Sequence, residues 1–281
     1  MCNYSDKNLI KSLVEAEVAV NDDAADGHMK LELHFPADEN ARPVPGQFIM
    51  LRVHEGSDPL LARPLGIAGY SEENDIARIE IFYRIVGRGT REMAKWPAGH
   101  SVKFLGPLGN GFNLPPAGSR SLLIAGGIGL PPLLALAREM VALGRKDELT
   151  VLYGGKSLAG MVGMDALGDL GIEVRTCTED GSCGRQGIVT GLLSKHENTK
   201  GSHLFVCGPN PMMLAVHEAC DSLSETSQYS LESRMACGFG VCCGCAVTVE
   251  RGEGREYQRA CREGPVFAGR DLVSDSFPDS L

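Results

Sequence analysis

Four cysteines near the carboxyl end carry the strongest chemical signal in this sequence. The run Cys237-Gly-Phe-Gly-Val-Cys242-Cys243-Gly-Cys245 is followed by Cys261 after fifteen further residues. C-x4-C-x2-C…C is the spacing that holds a [2Fe–2S] cluster in plant-type ferredoxins. Two irons need four thiolates converging from a short loop. Gly238, Gly240 and Gly244 let the backbone close tightly and aim N–H groups at the sulfurs. The stretch 246–260, turning at Arg251-Gly-Glu-Gly254, reads as a hairpin that returns Cys261 to the loop. The competing chemistry is a structural zinc site. Such sites usually pair two C-x2-C knuckles, and here only Cys242 and Cys245 form one. Cys243 fits the cluster pattern badly and is expected to be a thiol beside the cluster, not a ligand. The other five cysteines (Cys2, Cys177, Cys183, Cys207 and Cys220) are scattered and expected to be inert.

A second constellation is made of glycines. Ser121-Leu-Leu-Ile-Ala-Gly126-Gly127-Ile-Gly129-Leu-Pro131-Pro132 reads as strand, glycine turn and helix start. Glycines let a phosphate approach the backbone, and a helix N-terminus offers free N–H groups and the positive end of its dipole. Proline suits the first helical turn. The turn is not G-x-G-x-x-G, so the standard dinucleotide fingerprint is absent; tight packing is the plain alternative. Thr176-Cys-Thr178-Glu179-Asp180-Gly181-Ser182 places acidic and hydroxyl groups at the end of a later strand. They can accept hydrogen bonds from a ribose and would repel a 2′-phosphate, which favours NAD over NADP. A solvated turn explains them as well. Val206-Cys207-Gly208-Pro209 ends the next strand, at the edge where open α/β sheets bind ligands; Cys207 also reads as a small buried residue. Gly126, Gly127, Gly129, Glu179, Asp180, Cys207 and Gly208 are the candidate NAD residues.

A third set lies earlier. Leu61-Ala-Arg63-Pro64-Leu65-Gly66-Ile67 sets an arginine beside a rigid proline at a strand start, where a guanidinium can clamp a pyrophosphate. Tyr83-Arg84-Ile-Val-Gly87-Arg88-Gly89-Thr90 is a strand running into a glycine loop with a hydroxyl, suited to further phosphate donors. Either segment alone is also an ordinary barrel turn. The chemistry argues for a flavin here. A nicotinamide gives up two electrons together, as hydride, and an iron–sulfur cluster accepts one at a time. Flavin is the usual cofactor stable at both levels.

The elements that must position these groups fall into three textures. Segments 14–20, 28–35, 47–53, 65–69, 78–85 and 101–105 are short apolar or alternating runs. Breakers at 21–23, 43–46 and 71–75 separate them, which predicts a six-stranded antiparallel barrel. A linker follows at 115–119. Strand-like runs at 121–125, 149–153, 172–176 and 203–207 then alternate with helical stretches, among them 133–143 and 211–223, which predicts an open parallel α/β sheet. The cysteine module follows, and its polar tail after Asp271 is expected to be loose. The domains expected are 10–115 for the flavin barrel, 116–228 for the NAD unit and 229–281 for the cluster.

Composition bounds the partners. The chain has 281 residues, with 27 Lys and Arg against 36 Asp and Glu, a net charge of −9. That argues against nucleic acid and anionic membranes as partners. Five glycines and prolines interrupt the most apolar stretch, 121–137, so it cannot span a bilayer as one helix. Residues 1–13 hold no apolar signal core. A cytoplasmic location is expected, where clustered thiols read as metal ligands or redox groups.

Taken in order, Arg63-Pro-Leu, Gly87-x-Gly-Thr90, Gly126-Gly-Ile-Gly129, Thr178-Glu-Asp-Gly-Ser182, Cys207-Gly-Pro209 and the cysteine module resemble the ferredoxin–NADP reductase-type flavoproteins that carry a C-terminal [2Fe–2S] domain. Leu231-Glu-Ser-Arg-Met235-Ala-Cys237 and Cys261-Arg-Glu-Gly-Pro265-Val-Phe267 narrow the resemblance to electron-transfer subunits of type B dihydroorotate dehydrogenases. That resemblance implies FAD held by Arg63, Pro64, Leu65, Gly66, the Phe82-Tyr83-Arg84 strand end, Gly89 and Thr90. It implies a cluster held by Cys237, Cys242, Cys245 and Cys261, and NAD as substrate. It also implies an FMN-containing catalytic partner that oxidises dihydroorotate in pyrimidine synthesis, in a heterotetramer of two subunits of each kind, with no dihydroorotate oxidation by this chain alone. Subunits of ferredoxin reductases, sulfhydrogenases and glutamate-synthase-like complexes share the cofactors. In the ferredoxin:NADP branch the first ligand is typically aspartate, and here it is Cys237. Two positions depart from the family pattern. Gly66 stands where a serine usually faces the flavin, and Glu263 stands where an aspartate is usual.

Overall fold

Period-two alternation decides the first hundred residues. In the computed structural model, which describes residues 13–38, 42–56, 58–193, 201–220, 226–252 and 254–277, it produces six strands. These are β1 (Leu13–Ala25), β2 (His28–Pro36), β3 (Phe48–Leu51), β4 (Arg63–Glu73), β5 (Ile76–Arg84) and, after the short helix α1 (Arg88–Met93), β6 (Ser101–Leu108). They close into an antiparallel barrel in the order β1-β2-β5-β4-β3-β6. Alternate residues such as Val18, Leu31, Leu33, Ile79, Ile81 and Phe104 fill its interior and are fully buried.

Two expected breakers are not breaks. β1 runs through Asn21, Asp22 and Asp23, which pair with Leu31, Lys30 and Met29. Asn21 belongs inside because its amide closes the barrel end. It donates to the carbonyls of Met93 (2.8 Å) and Trp96 (3.1 Å) and accepts from the Tyr83 hydroxyl (3.0 Å). Likewise β4 continues to Glu73, and only Asn74 and Asp75 turn, both at positive φ. Asn21→Ala is expected to destabilise the barrel by about 1–3 kcal/mol by stranding the buried Tyr83 hydroxyl. Thermal unfolding checks this.

After the coil around 115–119 the period changes. The second unit contains β7 (Ser121–Gly126), α2 (Leu130–Ala142), β8 (Leu149–Gly155), α3 (Met164–Asp169), β9 (Glu173–Thr178), β10 (Arg185–Gln186), α4 (Thr190–Leu193), β11 (His203–Cys207) and α5 (Asn210–Ala219). Continuous apolar runs suit strands covered on both faces, and Leu123, Ile124, Val151, Leu152, Phe205 and Val206 are fully buried. Then come β12 (Ser227–Ser230), the hairpin β13 (Ala246–Arg251) and β14 (Gly254–Arg259), and β15 (Val266–Ala268). The large sheet runs β10-β9-β8-β7-β11-β12-β15, parallel except for β15. The sequence pattern did not reveal β12 or β15. The 228/229 boundary falls inside β12, and β15 carries the cysteine module into the sheet.

The three textures are locked together. Arg138 of α2 reaches the barrel, donating to the Ala68 carbonyl and to Glu80, both at 3.0 Å. On the opposite edge, Asn110 donates through its backbone to the Gly264 carbonyl (2.6 Å) and through its side chain to that of Glu263 (2.8 Å). The tail is not loose as far as Phe277. Leu272, Ser276 and Phe277 are buried, Ser276 donates to the Thr248 carbonyl, and Arg251 and Arg255 of the hairpin hold Asp271 and Asp275.

Candidate functional site

The cluster loop is built by two glycines that no other residue can replace cheaply. Gly238 and Gly240 have φ of +78° and +89°, and a Cβ on them would lie 2.2 Å from Met50 Cγ and 2.8 Å from Arg262 Cδ. Arg259 holds the loop down by donating to the Gly240 carbonyl (2.8 Å), and Glu263 grips the same guanidinium. Glu263 also accepts from the Arg259 backbone (2.8 Å), so it fastens the turn that carries Cys261.

The sulfurs form two pairs. Cys245 and Cys261 are buried with Sγ atoms 3.2 Å apart. Cys237 accepts from the Cys242 backbone at 3.5 Å and is bonded by the Cys242 thiol, while Gly244 N–H points at Cys242 Sγ, also 3.5 Å away. Burial works against a thiolate at Cys237, but the N–H groups of Cys242, Phe239 and Val241 outweigh it and pull the thiol down. Burial, reinforced by Cys245, pushes Cys261 up, a cost that a bound cation removes. Two thiol pairs in the C-x4-C-x2-C…C spacing match the two-plus-two ligation of a pair of irons. Cys243 sits apart at φ +55°, exposed, with its sulfur 4.0 Å from the Val241 carbonyl.

The flavin candidates also converge. A Cβ on Gly89 would lie 2.3 Å from the Arg63 guanidinium, so the clamp arginine lies over the glycine loop. Arg63 spends one donor on the Leu61 carbonyl. Pro64, Leu65 and Gly66 follow along β4, with Gly66 facing Pro132 at the start of α2, 3.8 Å from a would-be Cβ. Along β5 the side chains alternate. Phe82 belongs to the apolar cluster of the sheet unit, Arg84 is exposed, and Tyr83 points into the barrel towards Asn21. Tyr83 therefore shapes the strand end from within. Thr90 does the same for the loop, since its hydroxyl accepts from the N–H groups of Val86 (3.0 Å) and Gly87 (3.1 Å).

At the carboxyl edge of the sheet, the turn after β7 meets the end of β11. The chain order reverses there, which is where such sheets bind ligands. Gly126, Gly129 and Gly208 also leave room for close neighbours. A Cβ on Gly129 would lie 2.5 Å from the Cys207 carbonyl, and on Gly126 or Gly208 it would strike Met212. Gly127 differs: φ is +51° and nothing lies within 4 Å of a Cβ, so its backbone is open to a ligand. Burial pushes the Cys207 thiol up, and it stays a thiol. Burial does the same to Cys177 and Cys220; Cys2 lies outside the described residues. Glu179 is exposed, and Asp180 accepts from Ser182 N (2.9 Å) and Oγ (2.6 Å), which keeps its carboxyl below the usual range. Nothing in the local sequence marks Gln47, Met50, Arg138 and Arg259, which hold these parts together. Their roles depend on partners far along the chain.

A flavin-type barrel joined to a nicotinamide-type sheet, with a four-cysteine loop against both, defines an iron–sulfur oxidoreductase of the ferredoxin reductase fold. Residues 232–273 match the family described as the iron–sulfur cluster binding domain of dihydroorotate dehydrogenase B, and 123–218 match the oxidoreductase NAD-binding domain. The protein named dihydroorotate dehydrogenase B (NAD(+)), electron transfer subunit, from Desulforamulus reducens is 36% identical, covering 86% of this chain and 91% of that protein. Its namesake from Shouchella clausii is 39% identical, over 82% and 86%. The structure of an NADH-dependent reduced ferredoxin–NADP oxidoreductase superposes with a TM-score of 0.80 at 25% identity, over 93% of this chain and 91% of the other. The chain belongs to the family of electron transfer subunits of NAD-dependent dihydroorotate dehydrogenase B. No helix among the described residues is long and apolar enough to cross a membrane.

Proposed function

We propose that this chain carries electrons between NAD and a separate FMN-containing subunit that oxidises dihydroorotate in pyrimidine synthesis, in an assembly of two subunits of each kind. The observation that carries the reading is the pair of thiol pairs held against the barrel edge that also bears the flavin clamp. FAD and the cluster, when bound, exchange two-electron for one-electron chemistry.

The chain's own residues supply position. Arg63 and the Gly87–Gly89 backbone bind the flavin pyrophosphate, Pro64 to Gly66 and Phe82 border the ring, and Arg84 adds charge at the rim. Tyr83 and Thr90 keep that frame rigid. Gly127 admits the dinucleotide, the Cys207–Gly208 edge receives the nicotinamide end, and Glu179 and Asp180 meet the ribose. Cys237, Cys242, Cys245 and Cys261 hold the irons. The division at 10–115, 116–228 and 229–281 separates these tasks by cofactor. Phe239 and Val241 are 51% and 73% exposed on the ligand loop and offer the partner an apolar contact at the cluster.

Co-purification tests the whole reading. An FMN protein should accompany the chain, iron and sulfide should be present, and dihydroorotate should turn over only with that partner. A colourless, zinc-bearing chain without partner would overturn it. Arg63→Ala is expected to weaken FAD by about 10–100-fold, the loss of charge-assisted hydrogen bonds. Titration of flavin fluorescence measures it.

A further inference from the structure

One residue links the flavin clamp to the cluster loop, the first through its backbone and the second through its side chain. Met50 is the third residue of β3, and its backbone pairs with Pro64 of the flavin clamp. Its side chain crosses to the cluster loop. A Cβ on Gly238 would lie 2.2 Å from Met50 Cγ, 2.9 Å from Sδ and 3.4 Å from Cε, so the thioether lies along the residue directly after ligand Cys237. Met50 is only 3% exposed, and with Phe48 and Leu108 it joins the apolar cluster that contains Cys245 and Cys261. Two sets of hydrogen bonds lie beside the contact, one within the barrel and one from the barrel to the cluster module. Gln47 donates to the Gly109 carbonyl (2.6 Å), and Asn110 holds Gly264 and Glu263. Asn110 thus ties the end of the barrel to the cluster module beside the space that Met50 fills.

From this we infer that Met50 is the positioning residue that sets electron passage between flavin and cluster. The inference rests on the flavin and cluster assignments above. Each crossing removes one electron from the reduced flavin and adds one to the oxidised cluster, and the proton stays on the flavin side. Tunnelling through packed atoms is faster than across a void, and a flexible thioether fills an irregular gap better than most side chains. Gly238 belongs to the same contact, since a side chain there would displace Met50.

The test compares Met50→Leu and Met50→Ala in the holoprotein. Rapid mixing with NADH resolves flavin bleaching from the later cluster reduction. Met50→Leu should keep both rates. Met50→Ala should keep flavin bleaching and slow cluster reduction on the order of tenfold. In the cofactor-free chain, Met50→Ala should also speed alkylation of Cys237, read by peptide mass mapping, because the loop loses its cover. Unchanged cluster reduction in a fully loaded Met50→Ala protein overturns the inference. Should that variant load incompletely, Met50→Val decides by the same rates: slowed cluster reduction supports the bridge, and an unchanged rate removes it. Failure of the wild-type chain to bind flavin or iron is a separate result, and it would overturn the assignments themselves.

Discussion

Cys261→Ser leaves a chain that binds flavin but no cluster. Iron and sulfide fall to background and the paramagnetic signal after dithionite disappears. NADH still reduces a two-electron dye through the flavin, because the clamp around Arg63 and Gly89 lies on the barrel, away from the lost ligand. Delivery to the catalytic partner falls by more than about a hundredfold, since disturbing only the outer shell of a metal site costs about 10–100-fold. The reason is visible in the pairing. Cys261 shares one end of the cage with Cys245, their sulfurs 3.2 Å apart and both buried. Cys243→Ser is the matched control and should keep iron, colour and turnover. Iron retained in full by Cys261→Ser would move the ligand set elsewhere.

Gly129→Ala has the largest expected effect on stability. The new methyl would lie 2.5 Å from the Cys207 carbonyl oxygen and 2.6 Å from its carbon. Those are backbone atoms of a central strand, which cannot rotate away as a side chain can. Overpacking of this kind costs about 3 kcal/mol. The melting temperature should fall on the order of 10 °C in a chain of this size. NAD affinity should fall with it, because the same clash parts the two strand ends that flank the crevice. Gly168→Ala, in α3 with nothing within 4 Å of its new methyl, should instead be neutral or slightly stabilising. Calorimetry on both variants separates a real clash from a general intolerance of substitution.

Local pattern explains what could be read without coordinates. The six barrel strands follow from alternation, the sheet strands from apolar runs, and the cysteine loop from spacing that only a few chemistries demand. The failures share one physical cause. Asn21 looks like a turn residue, and becomes a strand residue because Tyr83, Met93 and Trp96 satisfy its amide. Ser227–Ser230 is too polar and short to announce itself, and is a strand because Leu204–Cys207 and Val266–Ala268 pair with it. Asp271 and Asp275 look solvated, and are held by arginines twenty residues upstream. The same holds at the site. The cysteines carry their meaning in their spacing. Gly126 and Gly129 read in sequence as phosphate-binding glycines, and only the structure shows that Met212 and Cys207 also crowd against them.

The placement of β15 bears on how the molecule is made. Ribosomes deliver chain from the amino end, so the barrel and most of the second sheet emerge first. Until Val266–Ala268 arrives, β12 offers its unpaired backbone to any neighbouring polypeptide, the usual route to clumping. A chain truncated before Cys261 would thus be a sticky product and not merely a cluster-free one. A three-residue strand that emerges after the barrel and the rest of the sheet thus closes the seam for both.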